Sequence, residues 1–529
     1  MARGEVREPI FKAYHQHQIM LLPPSLDELI GVNHPVRVVN EVLNKIDIQP
    51  LIRKYRTGGA SNYHPQMLLK VLVYAYMNNV YSSRKIEEAL QQNIHYMWLS
   101  GMSTPDHNTI NRFRGEKLKE PLRNIFTEVV LLLAEEGLLS IKELYTDGTK
   151  IESAANKYSF VWGNSIKTNR SKIKQQVDEL WGYAQSVASS ELEDPEPTDF
   201  EKITSEKVKA TIEKIDAVLK DKPEVSKAIK QKLNYGKKHW PEALDRYEAQ
   251  EKIMGENRNS YSKTDTDATF MRMKEDHMLN GQLKPAYNIQ ISTNNQYVTN
   301  YSTHQSTTDT TTLTAHLEQY KEQYQAMPAV VTADAGYGSE ENYQYLQDNN
   351  IEAYVKYNHF DREQHSTTQD KKPFTADKLY YNAQQDYYVC PMGQRMHKLY
   401  TQTKETKNGY KQTVTKYGGV NCSRCPLNGV CHKSKSNRVI EVNHHLNSLK
   451  QAAKEKLQTE LGIYHRKKRC ADVEPVFANI KSNHQFKRFK LRGMEKVTIE
   501  IGLLSLAHNL RKKTKHTSRQ SYPITQKAA

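Results

Sequence analysis

Between Tyr287 and Val355 the chain alternates strand-like and helix-like segments, and this alternation limits the fold more than any other feature. Tyr287 to Ile291 and Tyr297 to Thr303 are rich in β-branched and aromatic residues and flank the turn residues Asn294 and Asn295, the pattern of a hairpin. A helix is expected from about Asp309 to Gln325, followed by the compact strand AVVTADAGYG, a helix from Ser339 to about Gln347 and a short strand from Ile351 to Val355. Strand, helix, strand, helix, strand implies parallel strands joined by crossover helices, with polar side chains at the strand ends facing one crevice.

The flanking sequence divides around this α/β unit. Residues 1–139 are expected to form a helical N-terminal DNA-binding domain, because apolar residues recur at helical spacing through Leu68, Leu72 and Tyr76 and again through Leu122, Ile125, Val129 and Leu133. Between those runs, a helix after Ser82 or Ser83, a break at Gly101 and a polar-basic helix after Ser103 or Thr104 give the layout of a helix-turn-helix. A helical hairpin with a solvated face fits the same pattern. Arg112 and Arg114 are the candidate DNA contacts there.

Residues 140–157 are expected to hold the first strand of the α/β domain, with Asp147 at its centre or end. A charged helical insertion over 158–262 follows, broken by an acidic loop around Pro195 and Pro197. The α/β domain continues over 263–360, a Cys-containing insertion covers 361–450, C-terminal helices of the α/β domain cover 451–513, and a basic disordered tail is expected over 514–529. One fold with a front domain and two insertions accounts for 529 residues better than a string of independent domains.

The charge is uneven. The chain carries 76 Lys and Arg against 60 Asp and Glu, a net charge of +16, and from His445 onward 19 Lys and Arg face only 6 Asp and Glu. That local excess suggests nucleic acid held near one site. No apolar run approaches the roughly 18 residues of a membrane span, and the start lacks a secretory pattern, so a cytoplasmic, nucleoid-associated chain with no membrane partner is expected.

Three acids stand out. Asp147 and Asp334 lie in strand contexts where a buried carboxylate needs donors or a cation, and each is followed within two residues by Gly. Glu474 and Asp472 are the only acids in an intensely basic stretch with Arg466, Arg469, Lys481, Lys487 and Arg488 as candidate phosphate contacts. Glu474 and Lys481 are seven residues apart, on nearly one face of an α-helix, and Pro475 must kink that helix or begin it. Acids from separate segments can hold two Mg2+ or Mn2+ ions for phosphodiester chemistry. The runs Asp147-Gly148-Thr149 and Asp334-Ala335-Gly336 also suggest an aspartic protease, which leaves Glu474 and the basic end without a role.

Cys390, Cys422, Cys425 and Cys431 come from two short segments and suit a structural Zn2+ or a set of buried free thiols; Cys470 is the odd thiol. A zinc-stabilised DNA-binding regulator without chemistry is the alternative to an enzyme.

Through YTDGTKIES around Asp147, TADAGYGS around Asp334, and VEPVFANIK followed by FKRFKLRGMEKVTIEIGLLSLAHNLRK around Glu474, the sequence resembles the DDE transposases of bacterial insertion sequences. The resemblance runs from about Ile10 to Lys513 and points to a subgroup with a helical N-terminal domain and a cysteine-containing insertion. It implies an α/β, RNase H-like (retroviral-integrase-like) catalytic domain, with Asp147, Asp334 and Glu474 as catalytic metal ligands. It further implies cleavage of double-stranded DNA at terminal inverted repeats, transfer of the freed 3′-hydroxyl into target DNA, and a homodimer on DNA. Some relatives carry a Tyr, Arg, Glu, Lys signature at the last acid. Glu474 and Lys481 match it, whereas Lys467 and Cys470 stand in the places of its Tyr and Arg, so those two roles are not carried over.

Overall fold

A computed structural model describes residues 25–55, 62–187, 203–220, 222, 225–273, 281–364, 374–406 and 408–521. At its centre lie five strands: β1 (Glu143–Glu152), β2 (Leu283–Asn294), β3 (Tyr297–His304), β4 (Val330–Ala333) and β5 (Glu352–Val355). Their order is β3-β2-β1-β4-β5, and the short strand Thr269–Arg272 shares the outer edge of β2 with β3. β1, β4 and β5 are parallel, while β2 runs antiparallel to both β1 and β3. The expected hairpin is β2–β3. Its turn residues Asn295 and Gln296 both have positive φ, 51° and 61°, as a two-residue turn matched to strand twist requires.

The helices that matter for the site are α1 (Pro65–Met77), α2 (Pro121–Glu135), α3 (Leu313–Tyr324), α4 (Glu340–Asp348), α5 (His444–Gln458), α6 (Glu460–Ala478) and α7 (Met494–Ser521). Ser339 caps α4 by accepting from the Asn342 N–H, as its sequence position suggested. On one face of the sheet, Leu68, Leu72, Phe126, Ile289, Tyr301 and Leu504 share a single core, so the N-terminal helices pack against β3 and α7. On the other, Leu144, Leu317, Val331, Leu346, Tyr354 and Leu457 join α3, α4 and α5 to β1, β4 and β5.

Both insertions are closed units. Phe160–Trp162 pairs antiparallel with Ser260–Ser262, and from this ribbon rise helices Gly163–Val187, Ser205–Leu219 and Lys227–Met254 with their own core of Val177, Leu180, Ile212 and Trp240. The acidic loop around Pro195 and Pro197 lies outside the described residues. The second insertion is a five-stranded antiparallel sheet over a small core of Tyr388, Met396, Tyr417, Ile440 and Val442.

Three expectations change. The boundary at 450 cuts through α5, whose Ala453 and Leu457 are buried against the central sheet, so this helix belongs to the main domain. α7 continues to Ser521, so residues 514–521 are helical where a disordered tail was expected, and 522–529 lie outside the described residues. In the front region, Ser83–Gln92 and Ile94–Ser100 are separate helices; Gly101, at φ 55°, ends the second, and Asp106 rather than Ser103 or Thr104 caps His107–Arg112. Among the described residues no helix is long and apolar enough to cross a membrane.

A candidate catalytic centre

Asp147 lies within β1 and Asp334 directly follows β4. The strands are parallel, with Tyr145 opposite Thr332, so Asp147 in the middle of β1 lies level with Asp334 just past the end of β4. Each has a local donor. Asp147 Oδ1 accepts from the Gly148 N–H at 2.8 Å, and Asp334 Oδ1 accepts from the Gly336 N–H at 2.8 Å, which caps the short 3-10 turn Ala335–Tyr337. Gly148 is required by space: a Cβ there would lie 2.6 Å from both Asp309 Oδ1 and Gln290 Nε2.

Glu474 arrives on α6, which packs across β1, β2, β4 and β5. Pro475 neither starts nor stops this helix. Its ring removes the donor for the Ala471 carbonyl, and Gln296 Nε2 supplies a replacement at 2.8 Å. The neighbouring acid Asp472 is buried and accepts from the Gln296 backbone N–H, so it anchors α6 to the β2–β3 turn. After Ala478 the chain forms a π-helical turn, Asn479–Asn483. Lys481 sits in that turn, so the 3.6-residue periodicity used to place it on one face with Glu474 does not extend to it.

Arg469 ties the centre together. Its Nη1 is 3.3 Å from Asp147 Oδ2 and its Nη2 is 3.6 Å from Glu474 Oε1. Burial disfavours the charged guanidinium, but Asp147, Asp334, Cys470 and Glu474 outweigh it and raise the Arg469 pKa. The structure thus brings all three sequence-selected acids around one buried cation.

A fourth acid, Asp309, was not singled out in the sequence. It opens the 3-10 turn before α3, and its Oδ1 accepts from Asn288 Nδ2 at 2.7 Å and Gln290 Nε2 at 2.9 Å, both on β2. Gln290 Oε1 in turn accepts from the Tyr337 hydroxyl. The phenol is fully buried, and burial first, then Asp309, Asp147 and Asp334, raise its pKa. In TTDTTTL, Asp309 reads only as a helix-start residue; the position opposite Gly148 is a tertiary fact.

The expected DNA contacts separate into two groups. Arg114 is only 3% exposed and donates to the Tyr76 hydroxyl, the Tyr81 carbonyl and Asn111 Oδ1, so it is a core residue, contrary to its assignment as a phosphate contact. Arg469 is likewise committed to the acids. Arg466 places its guanidinium over the Phe360 ring, and Arg488 donates to the carbonyls of Ser153 and Ala155 just past β1. Arg112 and Lys487 are exposed. A separate basic groove is lined by Arg511, Lys512, Lys515, His484 and His508, where part of the C-terminal charge excess collects.

Among the described residues no three His, Cys, Asp or Glu stand as a ready metal-ligating group. At the acid centre the space between carboxylates is taken by Arg469.

A helical front packs on an α/β sheet, with carboxylates gathered from two neighbouring parallel strands and a late helix. Two family models match the chain, a transposase domain (DUF772) over residues 24–116 and a transposase DDE domain over residues 389–514. These two matches support a DDE transposase of an insertion sequence. The DDE match includes Glu474 and the cysteines but not Asp147 or Asp334. No curated protein and no solved structure matches it. The family implies dependence on a divalent metal, generally Mg2+.

Proposed function

We propose that the domain is an RNase H-like polynucleotidyl transferase that binds the ends of its insertion sequence, cleaves there and transfers the freed 3′-hydroxyl into target DNA. The observation that carries this reading is the meeting of Asp147, Asp334 and Glu474 around Arg469. The strand order, with only β2 reversed among β1, β2, β4 and β5, supports it.

The donor set fits Mg2+ or Mn2+: the three groups are carboxylates, and the space between them already accepts a positive charge. Asp147, Asp334 and Glu474 would hold two ions, which supply Lewis-acid activation for phosphodiester hydrolysis and transesterification. Asp147 is held within a paired strand and Asp334 caps a 3-10 turn, so both need little reorganisation. Glu474 is half exposed, with its side chain at 55%, and stands toward the solvent from which DNA arrives. Exposed Lys487 and Arg112, with the groove lined by Arg511 and Lys515, would orient phosphates; a homodimer would present two DNA ends together.

The test uses purified chain, double-stranded terminal DNA and Mg2+. Strand cleavage is expected from the parent protein and lost in Asp147→Ala, Asp334→Ala and Glu474→Ala, with end binding retained. Full activity of Glu474→Ala would overturn the assignment.

A further inference from the structure

The second insertion holds four cysteines that the acid centre does not use. Cys390 follows strand Tyr387–Val389, Cys422 and Cys425 bracket a 3-10 turn, and Cys431 comes from the next loop; all four line one small cavity with His432 and Arg438. From Gly419 to Arg438 the chain forms no named strand, and Val420 and Val430 are 45% and 72% exposed. A loop of this length, held by one 3-10 turn and short backbone turns and with exposed apolar side chains, has little packing of its own to order it.

Backbone turns shape this loop, and Arg438 adds two hydrogen bonds to sulfur. The Arg438 backbone N–H donates to Cys422 Sγ at 3.3 Å, and Arg438 Nη1 donates to Cys431 Sγ at 2.8 Å. Arg438 is only 8% exposed, its other guanidinium bond goes to the Phe374 carbonyl, and among the described residues no carboxylate pairs with it. A buried guanidinium requires a compensating negative charge. The side chain in contact with its Nη1 is Cys431. His432 Nδ1, also on the cavity wall, is buried without a partner among the described residues. Cys390 sits in a tight turn in which the Gly393 N–H, at a residue with φ 76°, donates back to the Cys390 carbonyl.

We propose that Cys390, Cys422, Cys425 and Cys431 bind one structural Zn2+ as thiolates, with Arg438 as the outer partner that offsets their charge. The thiol protons leave to solvent on binding and nothing is oxidised or reduced. The sulfurs are not in a ready ligating arrangement, so the ion draws the two segments together and orders the loop. The proposal is independent of the activity at the acid centre.

Elemental analysis of the full chain purified from zinc-supplemented cells tests it. About one zinc per chain is expected, with an X-ray absorption spectrum showing four sulfur neighbours near 2.3 Å. Cys425→Ser and Cys431→Ser should each reduce retained zinc at least fivefold, whereas Cys470→Ser should keep it. If those variants fail to fold, a mercurial thiol reagent added to the parent protein should release the zinc, measured with a colorimetric chelator. Absence of zinc with all five thiols freely reactive, or nitrogen or oxygen neighbours in the spectrum, would overturn the proposal.

Discussion

Arg469 Nη1 stands 3.3 Å from Asp147 Oδ2, joining a late helix to the first strand of the central sheet. Both side chains are about nine-tenths buried, at 10% and 12% exposure. The cation therefore neutralises a pocket of carboxylates that would otherwise repel one another. Arg469→Ala is expected to lower stability by about 3 kcal/mol in chelator, since removing one partner leaves a buried charge uncompensated. Mg2+ should recover part of that loss. Thermal unfolding with EDTA and with Mg2+ measures both effects, and a variant as stable as its parent in EDTA would assign the pair no energetic role.

Gly148 leaves room for Asp309 and Gln290. In Gly148→Ala the new Cβ, 2.6 Å from Asp309 Oδ1 and Gln290 Nε2, must push both away. The expected cost is about 1–3 kcal/mol of stability, with a fall in DNA cleavage. Combining Gly148→Ala with Asp309→Ala should recover part of the loss because the two positions are in contact. A denaturant-based double-mutant cycle reads the coupling, and strictly additive effects would contradict the contact.

Histidine burial sets an acid limit. Burial, with Lys512, Arg511 and Lys515 adding to it, pushes His508 down from the ordinary value of 6.5 to about 4, against the opposing bond to the Gln296 carbonyl. Between those pH values the unfolded chain binds a proton that the folded chain refuses. Stability is therefore complete above about pH 6.5 and falls as pH drops toward 4, by up to about 1.4 kcal/mol per pH unit from this residue. His304 and His484 are depressed in the same direction, mainly by burial. His508→Gln should give a shallower pH dependence of unfolding free energy over this window; an unchanged slope would exclude His508 as a contributor.

Arg114 and Arg112 should part company. Arg114 lies beside fully buried Glu500, which accepts from the Tyr76 hydroxyl and the Lys490 and Leu491 N–H groups. Arg114→Ala should cost about 3–5 kcal/mol. Arg112→Ala should change stability by less than about 0.5 kcal/mol and, where it touches a phosphate, reduce the log-log salt slope of DNA binding by about 0.9. Parallel unfolding and salt-titration measurements separate the two, and normal stability of Arg114→Ala would return it to the list of surface cations.

Much of the architecture was legible because it depends on short-range patterns. Alternating branched residues around Asn294 and Asn295 indicated the hairpin, and Asp-Gly and Asp-Ala-Gly at strand ends marked two of the acids. The start of helix α5 was placed late, at 451, because its charged sequence follows a β-rich insertion with no Gly or Pro break. Arg114 looked like a surface cation on a polar helix; nothing near it in the chain announces Glu500. Pro475 was expected to kink its helix or begin it; it lies inside the helix, and Gln296 takes the carbonyl that it leaves without a donor.

Sequence alone determined the α/β alternation, the places of Asp147, Asp334 and Glu474, and the basic C-terminal end, since sterics and hydrophobic periodicity act over a few neighbours. Only the tertiary structure decided which charges are spent inside the protein: Arg469 on the acids, Arg114 beside Glu500, Arg438 on cysteine sulfur, and Asp309 opposite Gly148. Compensation of a buried charge depends on what packing brings within a few ångströms, and those partners lie far apart along the chain or carry no local signature.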